Sequence, residues 1–407
     1  MNSQFNQIGA IKDFAIGIYD GPHATPAESD QGSVFLGIKN ITPDGRLDLT
    51  DIRYISEQDL PKWTRRVTPQ KDDIVFSYEA TLHRYALIPE NFMGCLGRRM
   101  ALVRPDLSKI CPRFLHYYFL SEAWRSVIES NLISGATVDR IPIARFPNFT
   151  IKIPVLSQQN KIANILSAYD DLIENNRRRI QLLERSLHLL YKEWFIHLRF
   201  PSHEHSKIKD GIPEGWEKKT IDKICSTIGG GTPSTQNPEY WDGDITWITP
   251  TDITRNDCLV LLDSQKKITE SGLRNSSAKL LPPNTILMTS RASVGFFALI
   301  DKEVCTNQGF ISIIPHDDLL RMFLLCNLMG RVEEIRSRAG GTTYMEISKS
   351  QFRAMEVVIP PTLLLQQFDE AASKILQQVS LLKRQTTKLQ QARDLLLPKL
   401  MSGAIGV

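Results

Sequence analysis

The chain contains a long internal repeat, because blocks of its first half return in the same order in its second half. Residues 72–77 (DDIVFS) correspond to residues 284–289 (NTILMT), and residues 86–88 (ALI) recur unchanged at 298–300, at the same offset. Repeats of about 20–50 residues are typical of solenoids, whereas units of this length indicate a duplicated domain. We therefore expect two homologous halves related by a pseudo-twofold axis.

A later block of the repeat has a shorter offset. Its matching residues are Gly135 and Gly341, Thr137 and Thr343, Ile141 and Ile347, Phe146 and Phe352, and Pro154 and Pro360. The change of offset predicts a short insertion in the first half between Gly97 and Gly135. A chain of 407 residues is long enough for two separate domain cores.

The composition is ordinary for a globular protein, with 42% hydrophobic and 23% charged residues. The net charge of +4 permits a nucleic-acid partner without requiring one, so a basic surface has to come from local clustering. The six cysteines include no Cys-x-x-Cys pair, which favours reduced thiols in a cytoplasmic protein. The most apolar stretch, residues 319–329, contains Arg321 and is too short to span a membrane.

Two long segments show the three-and-four spacing of apolar residues that is typical of a coiled coil. In the first, residues 156–199, the spaced residues are Ile162, Ile165, Tyr169, Leu172, Ile180, Leu183, Leu187, Leu190 and Trp194. In the second, residues 361–400, they are Phe368, Ala372, Ile375, Val379, Leu382, Thr386, Leu389 and Leu396. Asn176 occupies a seam position, where a buried amide would fix the register. We predict two long antiparallel helices, with core helices of a larger domain as the alternative.

Each half begins with a globular unit, which we call a head. Strands are predicted at 34–38, 74–76, 100–103 and 151–153 in the first head, and at 245–248, 286–288, 310–314 and 357–359 in the second. Helices are predicted at 114–130 and 319–336. The fold class is therefore α+β, with two homologous mixed α/β domains at 1–155 and 216–360, a polar linker at 200–215, and two long antiparallel coiled-coil helices that join the domains.

The sequence lacks the motifs of the common catalytic sites, namely a Gly-x-x-x-x-Gly-Lys-Ser phosphate loop, a Gly-x-Ser-x-Gly elbow and a His-Glu-x-x-His metal motif. Residues 237–240 (NPEY) are similar to the Asn-Pro-Pro-Tyr motif of amino-methyltransferases, but no Gly-rich loop for S-adenosylmethionine accompanies them. His203 and His205 are either a metal-binding fragment or, as we prefer, part of a solvated linker. Residues 177–179 (RRR) are a solvated helix face or a phosphate contact.

Over essentially its whole length, the chain resembles the specificity subunit of type I restriction-modification systems. The first long segment carries that family's helical pattern, from residues 153–154 (IP) through 173–176 (IENN) to 194–195 (WF). Residues 20–26 (DGPHATP) are similar to a variant opening of the family's first target recognition domain. The stretches of the second half that look like such a domain are 230–234 (GGTPS), 240–241 (YW), 243–245 (GDI), 289–295 (TSRASVG), 307–309 (NQG) and 341–343 (GTT).

The resemblance implies a non-catalytic reader of double-stranded DNA, in which each head recognises one half of a bipartite target and the helices fix the spacing. It also implies two methyltransferase (modification) subunits and two restriction/translocase subunits as partners. S-adenosylmethionine, ATP and Mg are then expected on the partner subunits. The chain itself is expected to have no cofactor, metal ion or catalytic residue.

The two heads differ where bases would be read, since residues 78–81 (YEAT) correspond to 290–293 (SRAS), and 39–40 (KN) correspond to 251–252 (TD). This difference predicts an asymmetric target. Arg291 suits a guanine or a phosphate, and Asn40 suits an adenine. The candidate DNA contacts are Lys39, Asn40, Tyr78, Arg84, Arg98 and Arg99 in the first head and Thr251, Lys266, Lys267, Arg291, Ser293, Asn307, Gln308 and Tyr344 in the second.

Two other functions compete with DNA specificity. A self-sufficient DNA-modifying enzyme would methylate or cut DNA as the purified chain alone, and the missing cofactor loop argues against it. A coiled-coil scaffold would bind proteins without reading DNA. In that case alanine at Arg291 and Lys39 would leave duplex binding by the assembled complex unchanged.

Overall fold

The structure is a computed structural model that describes residues 5–133, 138–209, 211–341 and 344–407. Four residues of the predicted repeat and family motif, Gly135, Thr137, Thr342 and Thr343, lie outside the described residues. The chain divides into two compact units, one formed by Met1–Ile173 with Leu389–Val407 and the other by Glu174–Lys388. Each unit combines one head with part of both long helices.

The strands of the two heads follow the same order along the chain. The first head contains β1 (Gln7–Ala10), β2 (Ala15–Asp20), β3 (Ser33–Leu36), β4 (Arg53–Ile55), α1 (Leu60–Trp63), β5 (Ile74–Ser77), β6 (Tyr85–Leu87), β7 (Gly94–Leu96), β8 (Met100–Pro105), α2 (Pro112–Phe119), α3 (Glu122–Glu129) and β9 (Thr150–Ile153). The first long helix, α4, is Leu156–Tyr191.

The second head begins after a short hairpin of β10 (Ile208–Lys209) and β11 (Ile212–Pro213). Its elements are β12 (Glu217–Thr220), α5 (Ile221–Ile224), β13 (Cys225–Gly229), β14 (Trp241–Ile248), α6 (Pro250–Thr254), β15 (Lys266–Ile268), α7 (Glu270–Arg274), β16 (Ile286–Thr289), β17 (Phe297–Leu299), β18 (Cys305–Thr306), β19 (Phe310–Pro315), α8 (Leu320–Met329), α9 (Val332–Ser337), α10 (Lys349–Arg353) and β20 (Glu356–Ile359). The second long helix, α11, is Thr362–Met401.

Both heads have the same sheet topology, which confirms the predicted duplication. Each contains a four-stranded sheet, in the order β2-β8-β5-β6 in the first head and β13-β19-β16-β17 in the second. Each also contains a three-stranded sheet, β4-β3-β7 or β15-β14-β18, whose middle strand has one antiparallel and one parallel neighbour. In both heads the last strand of the domain pairs with the first, as β9 with β1 and β20 with β12.

The core of each head lies between its four-stranded sheet and its helices. All four residues of β5 and all four of β16 are buried, as expected for central strands that are covered on both faces. In the first head, Phe76 stacks on Phe146 with ring centres 4.7 Å apart, and Trp124 meets Phe146 edge to face at 5.7 Å. In the second, Met322 and Phe323 are almost fully buried, so the apolar stretch at 319–329 belongs to the core.

Two helices that were predicted as continuous are interrupted. Instead of one helix over 114–130, α2 ends before Leu120 and α3 begins after Ser121, whose hydroxyl accepts a hydrogen bond from the Trp124 amide as an N-cap. The helix predicted at 319–336 is likewise divided into α8 and α9 at Gly330 and Arg331. Apolar spacing continues through both breaks, so periodicity alone does not reveal them.

The long helices bury residues at intervals of seven. The buried heptad positions are Gln159, Leu166, Ile173, Ile180 and Leu187 in α4 and Leu365, Ala372, Val379, Thr386, Arg393 and Leu400 in α11. The predicted seam was wrong in the first part of α4, because Ile165 and Leu172 are 36% and 51% exposed while Leu166 and Ile173 face inward. Asn176, whose burial the sequence left open, is buried.

Within each unit, the two helices run antiparallel. In the second unit, Ile180 packs in one cluster with Val379 and Leu382, and farther along the Tyr191 ring lies 6.2 Å from Phe368. In the first unit, Leu166 of α4 shares a core with Leu400 of α11. Helix α4 is shorter than the predicted 156–199, because a π-helical turn, Lys192–Ile196, follows Tyr191.

Membrane spans, disulfide bonds and metal sites can be assessed for the described residues. None of the helices there is both long and apolar enough to cross a membrane. The six cysteines all belong to the described part and are free thiols. His203 and His205 lie in a short 3-10 turn, and within the described ranges no cluster of three or more His, Cys, Asp or Glu side chains is arranged to hold a metal ion.

Candidate nucleic-acid interface

Three loops meet at one end of the four-stranded sheet in each head. In the second head, we call residues 290–296 the central loop, residues 307–309 the entry turn, and residues 340–341 with 344–346 the hairpin. The Ser290 amide donates to the Gly309 carbonyl at 2.8 Å, and the Ala292 amide donates to the Met345 carbonyl at 2.9 Å. These backbone bonds hold the three loops together, so that side chains far apart in sequence share one surface.

The first head has the same arrangement, with a central loop at 78–84, an entry turn at 97–99 and a hairpin formed by residues 133 and 138–140. The Tyr78 amide donates to the Arg99 carbonyl at 3.1 Å, as the Ser290 amide does to Gly309. Ala80 and Ala292, at equivalent positions of the central loops, both have positive φ, 72° and 61°. Such values are uncommon for residues other than glycine, so the duplicated backbone is retained even where it is strained.

Arg291 is the exposed cation of the second central loop. Its guanidinium carbon lies 5.7 Å from the centre of the Tyr344 ring, and its Nε lies 3.8 Å from a carboxylate oxygen of Glu346. These contacts orient the side chain while leaving it 48% exposed. Tyr344 is 58% exposed, and Ser293 is also exposed. The structure therefore brings three predicted contacts together on one surface.

The second entry turn contributes amide side chains to the same end of the head. The Gln308 Oε1 accepts a hydrogen bond from the Thr232 hydroxyl at 2.5 Å, and the Asn307 Oδ1 accepts one from the Gly309 amide at 2.9 Å. Gly230 passes so close that a Cβ there would lie 2.1 Å from the Asn307 carbonyl oxygen, and a larger residue would displace the turn. Gln308 is exposed and Asn307 is half-buried, so Gln308 is the better placed of the two to meet a ligand.

Helix α6 and strand β15 hold the other three candidates of the second head. Thr251 is exposed in the first turn of α6. The Lys266 Nζ lies 5.7 Å from the centre of the Trp241 ring, and the Lys267 Nζ lies 3.4 Å from a carboxylate oxygen of Asp263. Burial opposes the ionised form of Asp263, but hydrogen bonds from Lys302 and others lower its pKa to about 2. Lys267 therefore has a fixed anionic neighbour, and Lys266 is the freer cation.

The burial of Asn40 contradicts the prediction that it contacts an adenine. It is only 1% exposed, and its Oδ1 accepts from the Gly37 amide at 3.0 Å. Its Nδ2 donates to the carbonyls of Asp48 and Asp51, each at 3.0 Å. The equivalent Asp252 accepts from the Thr249 amide in the same way. Asn40 is thus a structural cap whose amide group is already fully engaged.

The burial of Tyr78 likewise contradicts the prediction that it is a surface contact to DNA. Its side chain is 6% exposed and belongs to the core of the first head. The hydroxyl lies 3.4 Å from Nδ1 of His23, and burial, together with the charges of Asp20 and Glu79, raises the pKa of this phenol. A buried phenol in the core does not present a face to a base.

The remaining candidates of the first head are cationic, and they differ in exposure and in their ionic partners. Lys39 is exposed and forms a surface ion pair with Asp51 at 2.7 Å. Arg84 is partly buried, and within the described chain its Nη1 has no hydrogen-bond partner. The Nε of Arg99 lies 3.0 Å from Glu79. Arg98 is exposed and has no ion pair among the described residues, so it is the most available guanidinium of these candidates.

Sequence reasoning missed three charged residues of this surface. They are Glu79, Arg140 and Glu346. Glu79 and Arg140 form a backbone β-bridge between the central loop and the hairpin of the first head, and Arg291 and Glu346 form the equivalent backbone β-bridge in the second. The repeat aligns Glu79 with the predicted contact Arg291, so that alignment was a signal that could have found Glu79.

The comparison with family models identifies the class of protein to which this duplicated fold belongs. Residues 35–185 and 213–392 match the family model described as the type I restriction modification DNA specificity domain. The two matches fall on the two halves of the repeat and cover most of the chain. The chain therefore belongs to this family.

Individual relatives are consistent with the family assignment. The chain is 37% identical over 151 residues to the type I restriction enzyme MjaIX specificity subunit of Methanocaldococcus jannaschii, a match that spans 37% of this chain and only 35% of that relative. It is 22% identical over 415 residues to the HindI specificity subunit of Haemophilus influenzae, which covers 86% and 89% of the two chains. The crystal structure of a type I restriction-modification system S subunit from M. genitalium has the same fold, with a TM-score of 0.57, 16% identity and coverage of 98% and 99%.

Proposed function

We propose that this chain is the non-catalytic DNA specificity subunit of a type I restriction-modification complex, in which each head reads one half of an asymmetric, bipartite target. The observation that carries the proposal is the duplicated loop surface. The same backbone frame recurs in both heads, with Arg98 and Glu79 on one copy and Gln308 and Arg291 on the other. Two heads that share one loop backbone but present different side chains are suited to recognising two different DNA sequences.

The proposed contacts to double-stranded DNA are the exposed or partly exposed candidates of the two surfaces. In the first head they are Lys39, Arg84, Arg98 and Arg99, and in the second they are Thr251, Lys266, Lys267, Arg291, Ser293, Asn307, Gln308 and Tyr344. Asn40 and Tyr78 leave the set because both are buried. Guanidinium groups can donate to guanine or to phosphate, whereas Gln308 can form two hydrogen bonds with adenine.

The proposed partners are two methyltransferase subunits and two restriction/translocase subunits. Their assembly on this chain would supply the chemistry that it lacks, and S-adenosylmethionine, ATP and Mg would be bound by those subunits. Membership of the specificity family supports the assembly with such partners. The number of each subunit is part of the proposal.

The proposal can be tested by co-expression of the chain with its cognate methyltransferase subunit, followed by long-read mapping of methylated adenines across a genome. We expect a split motif with a fixed gap and different bases in its two halves. Methylation that persists unchanged without the chain would indicate a scaffold that does not read DNA. Methylation or cutting by the purified chain alone would indicate a self-sufficient enzyme, and either result would contradict the proposal.

A further inference from the structure

A backbone β-bridge joins the central loop to the hairpin in each head, and the charges of its two residues are exchanged between the heads. Glu79 lies opposite Arg140 in the first head, and Arg291 lies opposite Glu346 in the second, each in an isolated antiparallel β-bridge of the backbone. The flanking backbone bonds are also equivalent, since the Ile141 amide donates to Tyr78 at 2.8 Å and the Ile347 amide donates to Ser290 at 3.0 Å. The central-loop position therefore carries a carboxylate in one head and a guanidinium in the other.

The neighbouring entry turn shows the complementary exchange. The Gly97 amide donates to the Leu36 carbonyl at 2.8 Å, and the Asn307 amide donates to the Ile248 carbonyl at 3.0 Å, which makes these two residues equivalent. The next residues are Arg98 in the first head and Gln308 in the second. The entry turn thus carries an exposed guanidinium, Arg98, in the first head, whereas the exposed guanidinium of the second head's loops, Arg291, lies on the central loop.

The geometry of Glu79 is that of an oriented acceptor. Its carboxylate is 28% exposed, and one of its oxygens, Oε1, lies 3.0 Å from Nε of Arg99. One ion pair fixes the side chain without covering it, which leaves acceptor positions toward solvent. A carboxylate can accept a hydrogen bond from the exocyclic amine of cytosine, whereas guanine presents two acceptors to the major groove and suits a guanidinium.

We propose that Glu79 and Arg291 are equivalent specificity-determining residues of opposite polarity. Glu79 accepts a hydrogen bond from the N4 amine of a cytosine in the first half-site, and Arg291 donates to O6 and N7 of a guanine in the second. This inference rests on the proposed function, because it assigns bases within a target that the two heads read. The competing role for Glu79 is to position Arg99 without touching a base.

Glutamine substitutions separate these roles, because a glutamine side chain has one acceptor and two donors and pairs with adenine. In complexes of the full chain with the cognate methyltransferase subunit, Glu79→Gln should change the preferred base from cytosine to adenine at one position of the first half-motif. Arg291→Gln should change guanine to adenine at one position of the second. Discrimination at the changed position should alter by about tenfold or more, and the other half-motif should stay as in wild type.

The readout is sequencing of methylated products from a library of DNA duplexes with randomised half-sites. The matched controls are Glu90→Gln and Arg274→Gln, because both side chains are exposed and pair with Lys71 and Glu270, which do not belong to the three loops. These controls should leave the motif unchanged. Glu79→Asp, which keeps the carboxylate, should retain cytosine with a lower methylation rate, and it provides the test if the Glu79→Gln complex does not assemble.

Two results would overturn the inference while leaving the proposed function intact. A split wild-type motif that is unchanged in Glu79→Gln would show that Glu79 does not select a base. A lower methylation rate with the same cytosine preference would make Glu79 a positioning residue for Arg99. If the wild-type complex gives no split motif, the proposed function itself fails, and this outcome is visible before any variant is compared.

Discussion

Arg393 of helix α11 donates a hydrogen bond from Nη1 to Oδ1 of Asp170 on helix α4, at 2.6 Å. Arg393 is 8% exposed and occupies a heptad position between Thr386 and Leu400. The other oxygen of Asp170 accepts a hydrogen bond from the Tyr117 hydroxyl of helix α2. Burial and the Asp170 charge both raise the pKa of Tyr117, so the phenol remains a donor. One carboxylate thereby links the helix pair to the core of the first head.

The first prediction follows from this buried pair. Asp170→Asn should lower the free energy of unfolding by about 3 kcal/mol, the lower end of the range for a broken buried ion pair. The reason is that Arg393 stays buried with only Asp394 as an anionic neighbour. The exposed pair of Lys374 and Glu370 is a matched control, and Glu370→Gln should cost about 0–1 kcal/mol. Urea unfolding of the full chain measures both, and equal costs would contradict a special role for Asp170.

A second prediction concerns pH, because Glu184 of helix α4 is a buried acid. Its Oε1 accepts a hydrogen bond from the Leu259 amide at 2.5 Å, and burial raises its pKa from 4.5 to about 7. Folding therefore favours the protonated form. Its contribution to stability is fully present below the ordinary pKa of 4.5 and is lost as the pH rises through about 7.

Glu184→Gln keeps an acceptor for the Leu259 amide and removes the titration. Relative to wild type, we expect this variant to gain stability as the pH rises from about 4.5 to about 7, by about 2 kcal/mol or more at the upper end, and to keep that advantage above it. The control is Glu174→Gln, an exposed position on the same helix. Thermal unfolding across this pH range measures the difference. A constant offset between Glu184→Gln and wild type would show that Glu184 does not titrate there.

The third prediction separates two adjacent residues of the first head. Asn40→Ala should destabilise the chain by about 1–3 kcal/mol, because it leaves the Asp48 and Asp51 carbonyls without their buried donor. Lys39→Ala should change stability little, since its ion pair is exposed, and should weaken duplex binding. Thermal unfolding and binding isotherms of the assembled complex distinguish the two variants. Asn40→Ala with normal stability and an altered DNA motif would restore the adenine-reading role.

The fourth prediction concerns salt, because the two reading surfaces differ in charge. The five equivalent positions of the loops are Glu79, Arg84, Arg98, Arg99 and Arg140 in the first head and Arg291, Phe296, Gln308, Gly309 and Glu346 in the second. Arg98→Ala should reduce the slope of log K against log salt concentration by about one phosphate contact. Gln308→Ala, at the equivalent position, should leave the slope unchanged. An unchanged slope for Arg98→Ala would show that Arg98 does not contact the phosphate backbone.

Much of the fold could be predicted from the sequence because the repeat is strong. Each strand prediction in one head is supported by an aligned strand in the other head. The central strands β5 and β16 are short apolar runs that the alignment matches residue by residue. The helix breaks at Ser121 and Gly330 were not predictable from periodicity, because the apolar spacing continues through them. The seam of α4 was misassigned at Ile165 and Leu172 because Gln159, a polar residue, begins the true heptad.

The candidate site was less predictable, since residue type does not determine burial. Asn40 was selected as a base contact for its amide, and that same amide caps a turn of the backbone. Glu79 was not among the predicted contacts, although the repeat aligns it with Arg291. Arg98 and Arg291 were found because an arginine in an exposed loop is a common DNA contact, and both remain proposals.

The central claim is that each head reads its own half-site, and exchanging a head tests it most directly. In the chimera, a second copy of residues 1–155 replaces residues 216–360, and the complex with the cognate methyltransferase subunit is mapped for methylated adenines. The account predicts a motif in which both halves contain the bases of the wild-type first half-site. A chimera that still methylates the wild-type second half-site would contradict it.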